Sequence, residues 1–241
     1  MKLPLTAALL AGSLAAAQLA AGAAPHAGSP APDAQEVLAA LTAGNHRFAA
    51  GRAARPHAEP ARVRETGTRG QHPRAVVLAC ADSRVCPEIL FDQGVGDLFT
   101  IRVAGNVANE DEAASVEYAA EHLGVPVCVV LGHAGCGAVT AVVKGEELHG
   151  SFDHLLAPTR EAVAALRKSR PELSGQVLLD EAIRANVWEA IQDLLRESPA
   201  VAARLRAGKL RIVGALYDTR TGTVRWLGRH PREASLLKAA G

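Results

Sequence analysis

The chain has 241 residues, which is enough for one domain of ordinary size with a substantial hydrophobic core. Its formal net charge is +1 at pH 7, with 26 basic and 25 acidic residues mixed along the chain, so the composition predicts no nucleic-acid partner and no polybasic membrane contact. Four cysteines in a chain of this length are too few for a small disulfide-stabilised scaffold.

The N-terminal residues 1–23 have the pattern of a secretory signal peptide. Lys2 gives a positive start, an uncharged Ala/Leu-rich run follows, and Ala21-Gly22-Ala23 fits the small-residue cleavage site. A membrane anchor is the alternative, since about 20 apolar residues can span a bilayer, but the run is rich in Ala and Gly. We therefore expect an exported, periplasmic protein with no stable membrane anchor after cleavage. A flexible lead-in is expected at 24–33 and a single domain at 34–241.

The mature chain is predicted to alternate between helices and strands. Hydrophobic spacing at 33–51 predicts a helix with Asp33 as N-cap and Glu36 in the capping-box position, followed by a loop to Pro73. Apolar, β-branched runs predict strands, whereas apolar residues at helical spacing predict helices. The strands are expected at 75–79, 97–103, 125–131, 210–217 and 223–227, and the later helices at 87–93, 110–123, 135–144, 153–169, 177–197 and 199–207.

This order of elements predicts an α/β fold with a mainly parallel central β-sheet flanked by helices. The last strand is expected to add antiparallel at one edge. The N-terminal helix has an apolar face that needs a surface to bury against, and this surface could belong to the same chain or to a dimer partner.

Two polar clusters directly follow predicted strands. "CADSR" begins at Cys80, after the first strand, and "GHAGCGAV" begins at Gly132, after the third. The carboxyl ends of parallel strands meet at one edge of a sheet, where open α/β folds place their ligand sites. We therefore expect the two clusters to face one crevice.

The clusters together offer two thiolates and one imidazole, from Cys80, Cys136 and His133. This set favours tetrahedral Zn²⁺, and three protein ligands leave the fourth position open, as in catalytic zinc sites. Asp82 could occupy that position as a fourth ligand and close the site. Alternatively, Asp82 could pair with Arg84 through a planar fork and leave the metal accessible to water.

The same residues allow other interpretations. Cys80 and His133 could be ordinary core groups, and Asp82 and Arg84 could be a surface ion pair of little energetic value. Cys80 could act as a nucleophile with His133 as its base, although this would leave Cys136 unexplained. A non-catalytic zinc-binding protein would use the same thiolates, and two disulfides are a further alternative.

Four stretches of sequence resemble a known family. They are "CADSRVCPEILF" from Cys80, "GDLFTIRVAGN" from Gly96, "SVEYAAEHLGV" from Ser115 and "GHAGCGAV" from Gly132. On these motifs the chain resembles the β-class carbonic anhydrases. The resemblance implies that Cys80, His133 and Cys136 bind zinc and that Asp82 and Arg84 form a catalytic dyad.

The resemblance also implies a reaction, the reversible hydration of carbon dioxide to bicarbonate and a proton. It assigns the substrate pocket to Gln71, Phe99 and Tyr118, which favours the subgroup whose zinc is readily accessible to water. It further implies a homodimer or larger homo-oligomer. A related zinc hydrolase that acts on carbonyl sulfide or carbon disulfide would share the ligand set and is the alternative enzyme.

Overall fold

The computed structural model describes residues 33–239, which form ten helices and five strands. The predicted signal peptide and the lead-in at 24–32 lie outside the described residues. Within 33–239, no helix combines the length and the hydropathy that crossing a membrane requires. The helices are α1 (Ala34–Ala49), α2 (Pro60–Arg69), α3 (Pro87–Leu90), α4 (Glu110–Glu121), α5 (Gly137–Lys144), α6 (Ser151–Leu155), α7 (Ala157–Ser169), α8 (Gly175–Glu197), α9 (Pro199–Arg206) and α10 (Glu233–Ala239). The strands are β1 (Ala75–Cys80), β2 (Leu98–Val103), β3 (Val127–His133), β4 (Arg211–Tyr217) and β5 (Val224–Gly228).

The five strands form one sheet in the order β2-β1-β3-β4-β5. The first three pairings across the sheet are parallel, and β5 pairs antiparallel with β4 at the edge. Every residue of β1 and β3 is buried, as expected for central parallel strands that helices cover on both faces. The predicted α/β architecture is confirmed, including the antiparallel edge strand.

Successive side chains of the central strands point into two separate cores. On β1, Val76 and Leu78 join a core with α4, α8 and α9, whereas Val77 and Ala79 join a second core with α1 and α3. The close packing of α8 on β3 requires a glycine at position 132, because a Cβ there would lie 2.6 Å from Val187 Cγ2. The central strands are therefore fixed on both faces, and this fixes the positions of their carboxyl ends.

Two parts of the prediction are wrong, and the last helix, α10, is absent from it. The predicted loop before Pro73 contains α2, which begins with Pro60 at its first turn and buries none of its residues. This helix has no apolar face to indicate it from sequence. The single helix predicted at 153–169 is two helices, α6 and α7, which meet at Leu156 just before Pro158.

The N-terminal helix is capped as predicted, since the Asp33 side chain accepts a hydrogen bond from the Gln35 N–H at 3.1 Å. No reciprocal bond to Glu36 is among the hydrogen bonds of the described residues. Val37 and Leu41 on α1 are each 1% exposed and lie in the second core of the same chain. The apolar face of α1 is thus partly buried within one chain, and its contact with a partner stays a prediction.

Candidate metal centre

The two predicted clusters meet at the carboxyl edge of the sheet. Cys80 is the last residue of β1, His133 is the last residue of β3, and Cys136 is the N-cap of α5. Their ligand atoms all lie within 4.8 Å of one another, and all three residues are buried. The two clusters thus come together, as expected from the parallel topology. The Cys80 and Cys136 sulfurs are 4.0 Å apart and all four cysteines are free, so the disulfide alternative is wrong.

His133 presents one ring nitrogen toward the two sulfurs. Its Nδ1 donates a hydrogen bond of 3.1 Å to the carbonyl oxygen of Ala134, which leaves Nε2 as the ring nitrogen available to a metal. Nε2 is buried and has no hydrogen-bond partner among residues 33–239. A buried polar atom without a partner costs about 1–3 kcal/mol. A cation at the centre of the cluster would satisfy it, and a donor set of two sulfurs and one imidazole fits zinc.

The sulfur of Cys80 is surrounded by hydrogen-bond donors. The Cys136 thiol has the largest effect and lowers the pKa of Cys80, and the N–H groups of Asp82 and Gly105 lower it further. These donors outweigh burial, which alone would raise the pKa. The shared proton raises the pKa of Cys136 in turn. The pair therefore holds a sulfur anion, and the thiolate is the form of cysteine that binds a metal.

A buried polar chain supports the Gly105 N–H, which lies 3.3 Å from the Cys80 sulfur. The Gly105 carbonyl accepts a hydrogen bond of 2.7 Å from the side-chain amide of Asn186, whose oxygen accepts one of 2.6 Å from the Thr159 hydroxyl. Gly105 has a φ of 79°, a conformation that suits glycine. Sequence reasoning missed Asn186 and Thr159, because neither is near the cysteines in sequence and both look like ordinary polar residues of helices.

Asp82 is held by Arg84 through a two-pronged contact. Arg84 Nε donates to Oδ1 at 2.9 Å and Nη2 donates to Oδ2 at 2.7 Å, while the Arg84 backbone N–H adds a third bond of 2.9 Å to Oδ1. The Arg84 guanidinium holds the pKa of Asp82 well below its usual range, so the carboxylate is anionic. Of the two arrangements considered for Asp82, the structure shows the pairing with Arg84. Its Oδ2 lies 3.9 Å from Nε2 of His133, at the edge of the cluster.

Arg102 on β2 fixes the loop that carries both Cys80 and Asp82. Its Nε donates to the Cys80 carbonyl at 3.2 Å, and its Nη2 donates to the carbonyls of Ala81 and Asp82 at 3.1 and 2.8 Å. Three successive carbonyl groups that leave the sheet are thus bound by one side chain. Sequence reasoning did not assign Arg102 a role, because an arginine in a strand does not reveal which carbonyls it reaches.

The three predicted pocket residues do not all lie at this edge. Phe99 pairs with Val76 near the start of the strands, whereas Val103 pairs with Cys80. Four residues of strand separate these levels, which corresponds to about 13 Å at a rise of about 3.3 Å per residue. The Tyr118 ring lies 5.9 Å from the Phe99 ring and is 45% exposed, and Gln71 is exposed just before β1. Within one chain, Phe99 and Tyr118 form a pair away from the metal cluster, and the pocket role of all three residues stays a prediction.

Comparison with known proteins agrees with this architecture. A family model described as carbonic anhydrase matches residues 75–224. Carbonic anhydrase 2 of Mycobacterium tuberculosis is 40% identical over 186 residues, which cover 76% of this chain and 87% of the relative. The carbonic anhydrase of Mycolicibacterium smegmatis is 40% identical over 189 residues, which cover 77% and 89%. A solved β-carbonic anhydrase of Aspergillus fumigatus superposes with a TM-score of 0.67 at 29% identity, covering 84% of this chain and 96% of that one.

Proposed function

Because the chain belongs to the family of β-class carbonic anhydrases, we propose that its catalytic centre is the Cys80–His133–Cys136 cluster together with the adjacent Asp82–Arg84 pair. The enzyme is a zinc-dependent carbonic anhydrase, which hydrates carbon dioxide reversibly to bicarbonate and a proton. The observation that carries the assignment of the centre is the convergence of three ligand atoms within 4.8 Å around an unpartnered His133 Nε2.

The residues of the centre have two roles, which are to bind the metal and to orient a water molecule. Two sulfurs and Nε2 of His133 would hold zinc, and the metal when bound supplies Lewis-acid activation of water. Asp82 Oδ2, anionic and beside the cluster, accepts a hydrogen bond from the reacting water and so directs a lone pair toward carbon dioxide. Arg84 keeps the Asp82 carboxylate in that orientation by engaging both of its oxygens.

Stopped-flow hydration of carbon dioxide tests this function. The purified protein should be active as isolated, inactive after removal of metal by a chelator, and active again after addition of zinc. Carbonyl sulfide and carbon disulfide serve as parallel substrates under the same conditions. Hydrolysis of either compound without hydration of carbon dioxide would contradict the proposal and favour the related hydrolase.

We further propose that the working unit is a homodimer or a larger homo-oligomer. The resemblance assigns Phe99 and Tyr118 to the substrate pocket, yet within one chain both lie toward the other end of the sheet from the cysteines. A second copy could bring such a pair to the metal centre. Light scattering coupled to size-exclusion chromatography should give at least twice the mass of one chain, and a fully active monomer would contradict the proposal.

Export to the periplasm is also proposed, on the strength of the signal-peptide pattern in residues 1–23. Expression of the full-length chain in a Gram-negative host, followed by fractionation and N-terminal sequencing, tests it. The periplasmic fraction should contain a chain that starts near Ala24. Recovery of an uncleaved chain from the cytoplasm would contradict this proposal and leave the catalytic assignment unaffected.

A further inference from the structure

A cavity of about 520 Å³ lies at the opposite end of the sheet from the metal centre. It is formed where β3 and β4 begin, with walls from the start of α1 and from the loop that joins α9 to β4. The two strands pair in register from Val127 with Arg211 to His133 with Tyr217. Six residues of strand place the cavity about 20 Å from His133. It is therefore separate from the catalytic centre.

The walls of this cavity carry a marked excess of positive charge. Among the described residues that line it, the cations are Arg204, Lys209, Arg211 and Arg229, and Asp33 is the one acidic residue. Arg229 is compensated from outside the cavity by Glu233 on α10, whose Oε2 accepts a hydrogen bond of 3.2 Å from Nε. Four positive charges less those of Asp33 and Glu233 leave a net charge of +2 at the cavity.

The donors on these cations are largely unused. Within residues 33–239, the side chains of Arg204 and Lys209 form no ion pair and no hydrogen bond, and Arg204 Nε is buried without a partner. Arg211 donates through Nη1 to the neutral amide oxygen of Gln35 at 2.9 Å, so its charge is uncompensated. The side-chain donors that these three cations leave free within the described residues could therefore be satisfied by an acceptor that enters the cavity.

The helix dipole explains in part why Arg204 lies in the last turn of α9. A positive charge there interacts favourably with the helix dipole. This accounts for the charge of Arg204 and leaves its buried Nε unexplained. It also does not explain why Lys209 and Arg211, on the following loop and strand, face the same cavity.

We propose that this cavity binds a phosphate group, either as free phosphate or as part of a small phosphate monoester. A net charge of +2 matches a dianion, and a phosphate monoester is doubly charged above about pH 6. Guanidinium groups match the geometry of phosphate oxygens through paired N–H donors, and lysine adds a point charge. The volume lies within the range of small-molecule sites, about 300–1,000 Å³, and leaves room for the organic part of an ester.

Calorimetric titration of the zinc-loaded enzyme at pH 7.5 and constant ionic strength tests the proposal. The probes are glycerol 3-phosphate and inorganic phosphate, with sodium chloride as the control anion. At least one of the two phosphate probes should bind at a single saturable site and chloride should not. Tighter binding of the ester identifies a phosphate monoester as the ligand class, whereas equal or tighter binding of inorganic phosphate identifies free phosphate.

Variants locate the bound probe. Arg204→Gln and Lys209→Gln should each weaken binding at least about tenfold, since each removes a charged contact to phosphate. Lys168→Gln removes the same charge from an exposed position in the last turn of α7 and should leave the affinity unchanged. Lys209 is exposed and forms no ion pair with any residue of 33–239, so Lys209→Gln remains informative even if Arg204→Gln fails to fold.

Three results would overturn the proposal. The first is the absence of saturable heat with both phosphate probes. The second is unchanged binding in the double variant Arg204→Gln/Lys209→Gln, which would place the anion elsewhere, including at the metal centre. The third is equal weakening by Lys168→Gln, which would show only a general effect of net charge. None of these results depends on hydration of carbon dioxide, so failure of the phosphate proposal would not affect the proposed catalytic centre.

Discussion

Two carboxyl groups in this protein each lie next to an arginine, and yet their pKa values are shifted in opposite directions. At the metal centre, Arg84 Nη2 is 2.7 Å from Asp82, and inside the helical layer, Arg196 Nη2 is 2.6 Å from Asp193. The pKa of Asp82 is held below its usual range by hydrogen bonds from Arg84. The side chain of Asp193 is 1% exposed, and burial outweighs the opposing effect of Arg196 and raises the pKa of Asp193 to about 7.

The cysteines show the same contrast on neighbouring strands. Cys128 on β3 is fully buried among apolar side chains, and burial raises the pKa of its thiol to about 12. Cys80 on β1 is also buried, but the Cys136 thiol and the nearby N–H groups lower its pKa. Burial alone therefore disfavours the charged form of an ionisable group. The donors supplied by loops beyond the strand ends make the carboxyl edge of the sheet reactive.

The largest expected effect comes from removal of a metal ligand. Cys136→Ser should abolish carbon dioxide hydration and lower zinc affinity by more than about 100-fold, since even outer partners of a metal site contribute about 10–100-fold. Cys128→Ala removes an equally buried thiol and should leave the zinc content and turnover unchanged. Metal analysis of both variants checks this. Full zinc content in Cys136→Ser would show that the cluster is not the metal site.

The second prediction distinguishes the catalytic role of Asp82 from the binding of the metal. Asp82→Asn should lower turnover by about 100-fold or more, the range of a positioned acid–base group, while zinc stays bound. Asp153→Asn disrupts a comparable but partly exposed pair with Arg160, 2.8 Å apart, and should have no effect. Stopped-flow rates measured beside zinc content check the pair. Normal turnover in Asp82→Asn would remove Asp82 from the mechanism.

A smaller effect is expected for the arginine that binds the loop after β1. Arg102→Gln should lower kcat/KM by about tenfold, because the loop that holds Asp82 loses its three carbonyl contacts. Arg167→Gln removes a single carbonyl contact, to Val143, far from the dyad in the chain, and should not change kcat/KM. Arg102→Lys should recover part of the activity. Equal losses in Arg102→Gln and Arg167→Gln would indicate a general effect on folding.

The smallest effect on activity is expected at Asp193, because this buried carboxyl group affects the stability of the fold and not the reaction. The pKa of Asp193 rises from 3.8 to about 7 on folding, so the folded state binds the proton more tightly. Stability from this group is present below pH 3.8 and is lost as the pH rises through about 7. Asp193→Asn cannot ionise, so above pH 7 its free energy of unfolding should exceed that of the parent protein by up to about 4 kcal/mol, since each of about three pKa units corresponds to about 1.4 kcal/mol.

Chemical denaturation between pH 4 and pH 8 measures this difference. The advantage of Asp193→Asn over the parent should grow across the interval and be small at pH 4. Asp180→Asn lies on an exposed turn of the same helix and should leave the pH dependence unchanged. An advantage for Asp193→Asn that does not vary with pH would show that Asp193 keeps an ordinary pKa.

Local patterns predicted most of the sheet and the convergence of Cys80, His133 and Cys136. Cys80 and His133 end apolar strands whose burial the sequence makes evident, and Cys136 lies three residues beyond His133, so their meeting could be expected from parallel topology alone. The side-chain contacts that support the site could not be predicted from the sequence. Arg102, Asn186 and Thr159 reach the site through side-chain bonds that span 20–81 residues, and α2 has no apolar face. Such features depend on tertiary positions that no local pattern encodes.

Two sulfurs and one imidazole nitrogen are proposed to hold a single zinc ion at the carboxyl edge of the sheet. X-ray absorption at the zinc edge, on protein purified without added metal, measures these ligands. We expect one zinc per chain, with two sulfur neighbours at about 2.3 Å and one nitrogen neighbour at about 2.0–2.1 Å. A metal surrounded by oxygen and nitrogen alone, or a Cys80–Cys136 disulfide in the active protein, would contradict it.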